Sequence, residues 1–183
     1  MIKEMLEFNR GFVARGDYEK YATDKYPAKK IAIVTCMDTR LVELLPAALD
    51  THNGDVKMIK NAGGVITNPF DSTLRSILVA VYELGVTDIM VIGHTNCGVQ
   101  GMNATEMLHL MKERGVKQET IDVITRCGID LDKWLEGFDE TDSAVLRTVE
   151  LIRNHPLLPP HGITVSGYVM DSYTGELRGL TEK

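Results

Sequence analysis

Little in this chain points to a membrane, a nucleic acid or a disulfide scaffold. No segment of about 18 consecutive apolar residues is present to span a bilayer, and the N-terminal stretch has no apolar signal region. There is no long basic run and the net charge is −6, which argues against a nucleic-acid partner. Cysteine is scarce: three residues at wide spacing, an odd number that frames no set of disulfides and suits a reducing compartment. The expected location is cytoplasmic, with neither nucleic acid nor membrane as partner. Nucleotide signatures are missing too, since there is no G-x-x-x-x-G-K-[ST] and no G-x-G-x-x-G behind a strand. What remains is a chain of 183 residues, 44% hydrophobic and 25% charged, enough for one sizeable core. No repeat, low-complexity tract or linker divides it, so residues 1–183 are read as a single domain.

Two of the three cysteines stand behind apolar runs. Ile31-Ala32-Ile33-Val34-Thr35 leads into Cys36-Met37-Asp38-Thr39-Arg40, and Ile89-Met90-Val91-Ile92-Gly93 leads into His94-Thr95-Asn96-Cys97. Continuous β-branched runs of this kind suit strands buried on both faces. Cys36, His94 and Cys97 therefore fall at strand C-termini, where open parallel sheets build their sites. Two thiolates and an imidazole make a Cys2His set, which suits tetrahedral zinc with a fourth position left over.

The rest of the chain supplies a frame for those strands. Ile2, Met5, Leu6, Phe8, Phe12 and Val13 mark a helical stripe within Met1 to Arg15, and Tyr18 to Lys30 reads as a polar connector. A short helix is expected from Leu41 to Leu49, with Pro46 tolerable only near a first turn or a kink. A strand follows over Val56 to Ile59, and then Gly63 and Gly64 allow a close backbone approach that could line a cleft or simply turn the chain. Asp71-Ser72 caps a helix over Thr73 to Leu84, and another runs from Met102 to Arg114. Residues 116–140 read as helical pieces broken at Gly128 and Gly137, one of them anchored in the core by Trp134. Asp142-Ser143 starts a helix ended by Asn154-His155-Pro156; a strand over Ile163 to Met170 then turns at Ser172-Tyr173-Thr174-Gly175 into a short edge strand at Leu177. The expected fold is α/β: a central, mostly parallel sheet of about four strands plus an antiparallel edge strand, flanked by helices, with an N-terminal helical arm over residues 1–30.

These residues resemble the β-class carbonic anhydrases. The resemblance is carried by Cys36-Met37-Asp38-Thr39-Arg40, by Gly54 through Gly63, by Gly93-His94-Thr95-Asn96-Cys97-Gly98, and more weakly by Ser166 to Asp171 and Thr174 to Leu177. A C-x-D-x-R paired with a later H-x-x-C, each behind a buried strand, is far more specific than either fragment alone. Lys60 stands where many members have Arg and Gly64 where Asn is common, which is similar to the smaller prokaryotic branch. Plant-type members carry a glutamine near the position of Thr51-His52-Asn53; its absence leaves His52 as a loop histidine outside the catalytic set. His109, His155 and His161 are likewise left out. The resemblance implies one zinc per chain, reversible hydration of carbon dioxide to bicarbonate, and an N-terminal helix lying across a partner subunit in a homodimer or higher homo-oligomer; the arm's other reading is cover for its own core.

Charge argues for how such a site would work. Two thiolates and a neutral imidazole bring zinc to formal charge zero, so bound water is polarised less than in an all-histidine site and needs help. Asp38, two residues from a ligand, is placed to orient a zinc-bound hydroxide, and Arg40 to hold Asp38 by a bidentate pair. If that pair breaks, the same carboxylate becomes a fourth ligand and closes the site; the open state is expected near or above neutral pH. Gly63 and Gly64 are candidates for the substrate cleft. Two other functions use the same residues. The hydroxide could hydrolyse COS or CS2, or Cys127 could join Cys36, His94 and Cys97 in a closed, structural Cys3His site with no catalysis.

Overall fold

The structure is a computed structural model that describes residues 1–180; of the expected single-domain span, 181–183 lie outside the described residues. Four strands run parallel, β1 (Ile31–Cys36), β2 (Val56–Asn61), β3 (Asp88–His94) and β4 (Thr164–Met170), and β5 (Leu177–Leu180) pairs antiparallel with β4. Their order is β2-β1-β3-β4-β5, which agrees with the expected fold class.

The helices segregate by face. The chain leaves β1 through α2 (Leu41–Ala48) to reach β2 on one side, then returns through α3 (Ser72–Tyr82) to β3 on the other. Right-handed crossovers in opposite directions put their helices on opposite faces. Accordingly Leu41 and Leu45 of α2 pack with Ile33 and Ile92, while Leu74, Ile77 and Val81 of α3 pack with Ala32, Val34 and Val91. Alternating residues of β1 and β3 thus serve two cores, the reason residues 31–34 and 89–92 are apolar on both faces. Helix α7 (Thr141–Arg153) joins the α3 side through Val145, Val149 and Ile152. The direction of travel reverses between β1 and β3, and an open sheet forms a crevice at the carboxyl ends of such a strand pair.

Several local expectations shift. Asp71 does cap α3, its side chain accepting from the Leu74 amide at 2.8 Å. Helix α7 begins at Thr141 with no side-chain cap, because Asp142 faces β5 and accepts from the Arg178 guanidinium at 2.9 and 3.0 Å. Pro46 lies inside α2, beyond its first turn, and the helix ends two residues later. Residues 104–135 form α4 (Ala104–Glu113), α5 (Gln118–Arg126) and the five-residue α6 (Leu131–Leu135), a largely exposed excursion. Trp134 does not anchor it: the indole is 69% exposed. The chain re-enters the core one turn later at buried Phe138, after Gly137 and Gly101 tie the base of the excursion through Gly137 N–H to Met102 O and Gly101 N–H to Phe138 O, both 2.9 Å. The arm also departs from self-cover. Helix α1 (Ile2–Ala14) buries no residue, and Ile2, Met5, Leu6, Phe8 and Val13 are all exposed.

Candidate metal centre

Strand register brings the predicted ligands together. Thr35 pairs with Ile92 across β1 and β3, so Cys36 and His94 finish neighbouring strands at the switch point, and Cys97 turns back from the loop that follows. The sulfur and nitrogen atoms of Cys36, His94 and Cys97 all lie within 4.8 Å of one another, and all three residues are buried. The sulfurs are 3.8 Å apart. Two sulfurs each about 2.3 Å from one tetrahedral zinc would be separated by about 3.8 Å, so the spacing fits that ion. Histidine adds a second fit. His94 Nδ1 sits 2.9 Å from the Thr95 carbonyl, which can only accept, so Nδ1 carries the proton. The lone pair on Nε2 is then left with no hydrogen-bond partner on a fully buried residue. Such an atom costs free energy unless something coordinates it. This triad could hold a metal.

Backbone amides complete its surroundings. Cys36 is a hydrogen-bond acceptor for the amides of Asp38 and Gly63, and Cys97 for those of Val99 and Gln100. In the absence of metal, burial pushes the Cys36 thiol up, but its polar neighbours, His94 beside it, those amides and Cys97, outweigh it and bring it down to about 7. Cys97 goes the other way, raised by burial and by the charge of Cys36 beside it. His94 is raised: burial opposes its charging, and the Cys36 contact more than compensates. Gly63 and Gly64 therefore sit against the ligands. Gly64 has φ +67°, and a Cβ there would come within 2.8 Å of the Cys36 amide nitrogen. The loop is clipped down as well, because the Met37 amide donates to Asn61 O at 2.8 Å while the Asn61 amide reaches Val65 O and Thr73 Oγ1.

Asp38 and Arg40 adopt the expected pairing. Arg40 Nε donates to Asp38 Oδ1 at 2.9 Å and Nη2 to Oδ2 at 2.8 Å. The guanidinium holds the Asp38 carboxyl well below the usual carboxylate range, and Asp38 Oδ2 lies 3.9 Å from His94 Nε2. Three residues not singled out beforehand complete the arrangement. Arg40 also donates to Asn96 O at 2.8 Å and to Ser172 Oγ at 3.2 Å, and Ser172 is bonded in turn to Thr95. In the sequence Ser172 carries only a turn signal; the pairing of His94 with Met170 is what brings residues 95 and 172 side by side.

The remaining candidates lie elsewhere. Cys127 is exposed at the C-terminus of α5 and does not belong to the buried triad, which overturns the closed Cys3His site. Its helix stands on the exposed excursion. His52 and His109 contact Asp55 and Glu113, and His155 uses both ring nitrogens on backbone groups of Pro69 and Leu157. Among the described residues no helix is long and apolar enough to cross a membrane.

Fold and site together define an α/β protein with a buried Cys2His cluster at its switch point that could hold a metal. The sequence profile described as "Carbonic anhydrase" matches residues 31–177. YtiB of Bacillus subtilis, named as a candidate carbonic anhydrase, is 48% identical over 97% of this chain and 94% of its own length. The crystal structure of β-carbonic anhydrase isoform I from Trichomonas vaginalis superposes with a TM-score of 0.87 at 31% identity, covering 98% of this chain and 96% of that one. A carbon disulfide hydrolase of Acidithiobacillus thiooxidans is 30% identical over 88% of this chain and 77% of its length. The chain belongs to the β-carbonic anhydrase family and is an enzyme of that class.

Proposed function

We propose that the protein catalyses the reversible hydration of carbon dioxide, with one zinc per chain held by Cys36, His94 and Cys97. The observation that carries this reading is the Asp38 carboxylate, fixed by Arg40 in two hydrogen bonds with its Oδ2 3.9 Å from His94 Nε2. A zinc ion in that triad would acidify a water molecule and so supply a nucleophile near neutral pH. The protein's own residues do the rest. His94, its tautomer set by Thr95, presents Nε2, and the amides on Cys36 and Cys97 stabilise the thiolates. Asp38 accepts a hydrogen bond from the attacking water and aims its lone pair at the carbon of the gas. Because Arg40 keeps Asp38 ionised, the carboxylate orients and does not retain the proton, which leaves to buffer as bicarbonate departs. A site of this design works with Asp38 on Arg40, the arrangement expected near and above neutral pH. Gly63 and Gly64 form the wall of the cleft on the β2 side.

Hydrolysis of CS2 or COS is a second reading, favoured by one observation: the 30% identity to a carbon disulfide hydrolase. Stopped-flow hydration of CO2 on metal-quantified protein, from neutral to alkaline pH, decides between them. Fast turnover lost by about a hundredfold or more in Asp38→Ala, with zinc still at one per chain, supports the carbonic anhydrase reading. No turnover on CO2 at full zinc, with turnover on CS2 or COS, transfers the function to those gases. The exposed apolar face of α1 supports a homodimer or higher homo-oligomer in which the arm covers a second copy. Ligand thiols that must stay reduced support a cytoplasmic location.

A further inference from the structure

The Asp38 to Arg40 pair cannot locate itself. The two residues are separated by a single residue on one loop, so their mutual hydrogen bonds do not by themselves set where the guanidinium sits. The Arg40 side chain is 43% exposed, and an ion pair on such a loop is worth little by itself. Two bonds tie the guanidinium across the switch point: Nη2 to Asn96 O on the loop after β3, at 2.8 Å, and Nη1 to Ser172 Oγ after β4, at 3.2 Å. Ser172 is the better anchored of these partners. It is 6% exposed, its amide donates to Thr95 Oγ1 at 3.0 Å and its hydroxyl to Thr95 O at 3.0 Å. With its proton committed to that carbonyl, the Ser172 oxygen has a lone pair free to accept from Arg40. The Thr95 carbonyl is the same one that accepts from His94 Nδ1. One backbone oxygen thus fixes both the imidazole and, through Ser172, the guanidinium.

We propose that Ser172 is a positioning residue: it holds Arg40, and through Arg40 it keeps the Asp38 carboxylate clear of the metal position. This rests on the reading of Asp38 given above. Without the hydroxyl, Arg40 Nη1 loses its buried acceptor, the pair slackens, and Asp38, already 3.9 Å from His94 Nε2, competes for the place that water needs. The shape of the turn supports such rigidity. Asp171 Oδ1 accepts from the amides of Tyr173 and Thr174, both at 2.8 Å, which fixes the backbone around Ser172 independently of Arg40.

The test compares wild type, Ser172→Ala, Ser172→Thr, Asp38→Ala and the Ser172→Ala/Asp38→Ala double variant. Each is loaded with cobalt and titrated with azide, followed by visible absorption, and CO2 hydration of the zinc forms is measured alongside. The expected result is an azide affinity about tenfold weaker in Ser172→Ala, with kcat down by about tenfold and KM unchanged. Ser172→Thr, which keeps the hydroxyl, restores both. In the Asp38→Ala background the Ser172→Ala change no longer affects azide binding, because the competitor is gone. Unchanged azide affinity in Ser172→Ala overturns the proposal, and so does an equal loss in both backgrounds, which would mean general damage. If Ser172→Ala does not fold, Thr95→Val, which frees the Ser172 amide, carries the same expectation and the same refutation. A wild type that binds azide but does not hydrate CO2 would count against the functional reading alone, since the azide arm still reports whether Asp38 competes.

Discussion

Replacing Gly64 with alanine separates two costs that usually come together. The first is conformational: at φ +67° a residue with a Cβ pays about 1–2 kcal/mol for the left-handed region. The second is steric. The added carbon would lie 2.8 Å from the Cys36 amide nitrogen and 2.8 Å from the Thr35 carbonyl carbon. Both are main-chain atoms of β1, which is paired on both sides and cannot step back. Overpacking against an immovable wall costs a further ~1–3 kcal/mol, so Gly64→Ala is expected to destabilise the metal-free protein by about 2–5 kcal/mol, a large share of a typical total. Gly85 provides the control. It has φ +71° and nothing within 4 Å of where its Cβ would stand, so Gly85→Ala should show the conformational cost alone. Urea unfolding with a common slope measures both. Because the obstructed atom is the amide of a ligand, zinc affinity should fall in Gly64→Ala and stay unchanged in Gly85→Ala. A Gly64→Ala protein no less stable than Gly85→Ala would refute the close approach.

Three other outcomes are expected. Cys127→Ser, at an exposed position outside the triad, retains one zinc per chain and full activity; loss of the metal would reinstate Cys127 as a ligand. The depressed Asp38 pKa stabilises the folded state at pH values above the unfolded carboxyl value of about 3.9, and this contribution is lost as pH falls through the lower native value. Metal-free wild type is therefore more stable than Asp38→Asn at neutral pH, and the difference in urea midpoint shrinks below about pH 4; a difference that grows on acidification contradicts the pairing. Removal of residues 1–14 takes away a helix that buries no side chain in its own subunit, so the unfolding midpoint of the folded unit barely moves while light scattering reports a smaller assembly. An unchanged assembly rules out the arm as its contact.

What the sequence made visible followed from short-range chemistry. The runs before Cys36 and His94 are apolar on both faces, Thr35 being the polar exception, because each strand faces two cores, and that pattern placed the ligands at strand ends. The Asp38 to Arg40 pair was visible for the same reason, since both partners lie on one five-residue stretch. Trp134 shows where such reasoning fails. A large aromatic in a helical piece suggests a core contact, yet α6 stands on an excursion whose path back to the sheet is fixed by Gly137 and Phe138. Asp142 fails similarly, having the composition of a cap while its partner, Arg178, is a residue of β5.

Ser172 and Thr95 mark the deeper limit. Nothing near either residue in the chain announces the other, and their contact exists because β3 and β4 pair in the one register that sets His94 opposite Met170. A shift of one residue would turn every side chain of β4 to the opposite face, so burial of Val165, Gly167 and Val169 against Val145 and Val149 is what selects that register. The core on the α7 side therefore places the hydroxyl that holds Arg40, and the packing of β4 on α7 bears on how firmly Asp38 is held beside the triad.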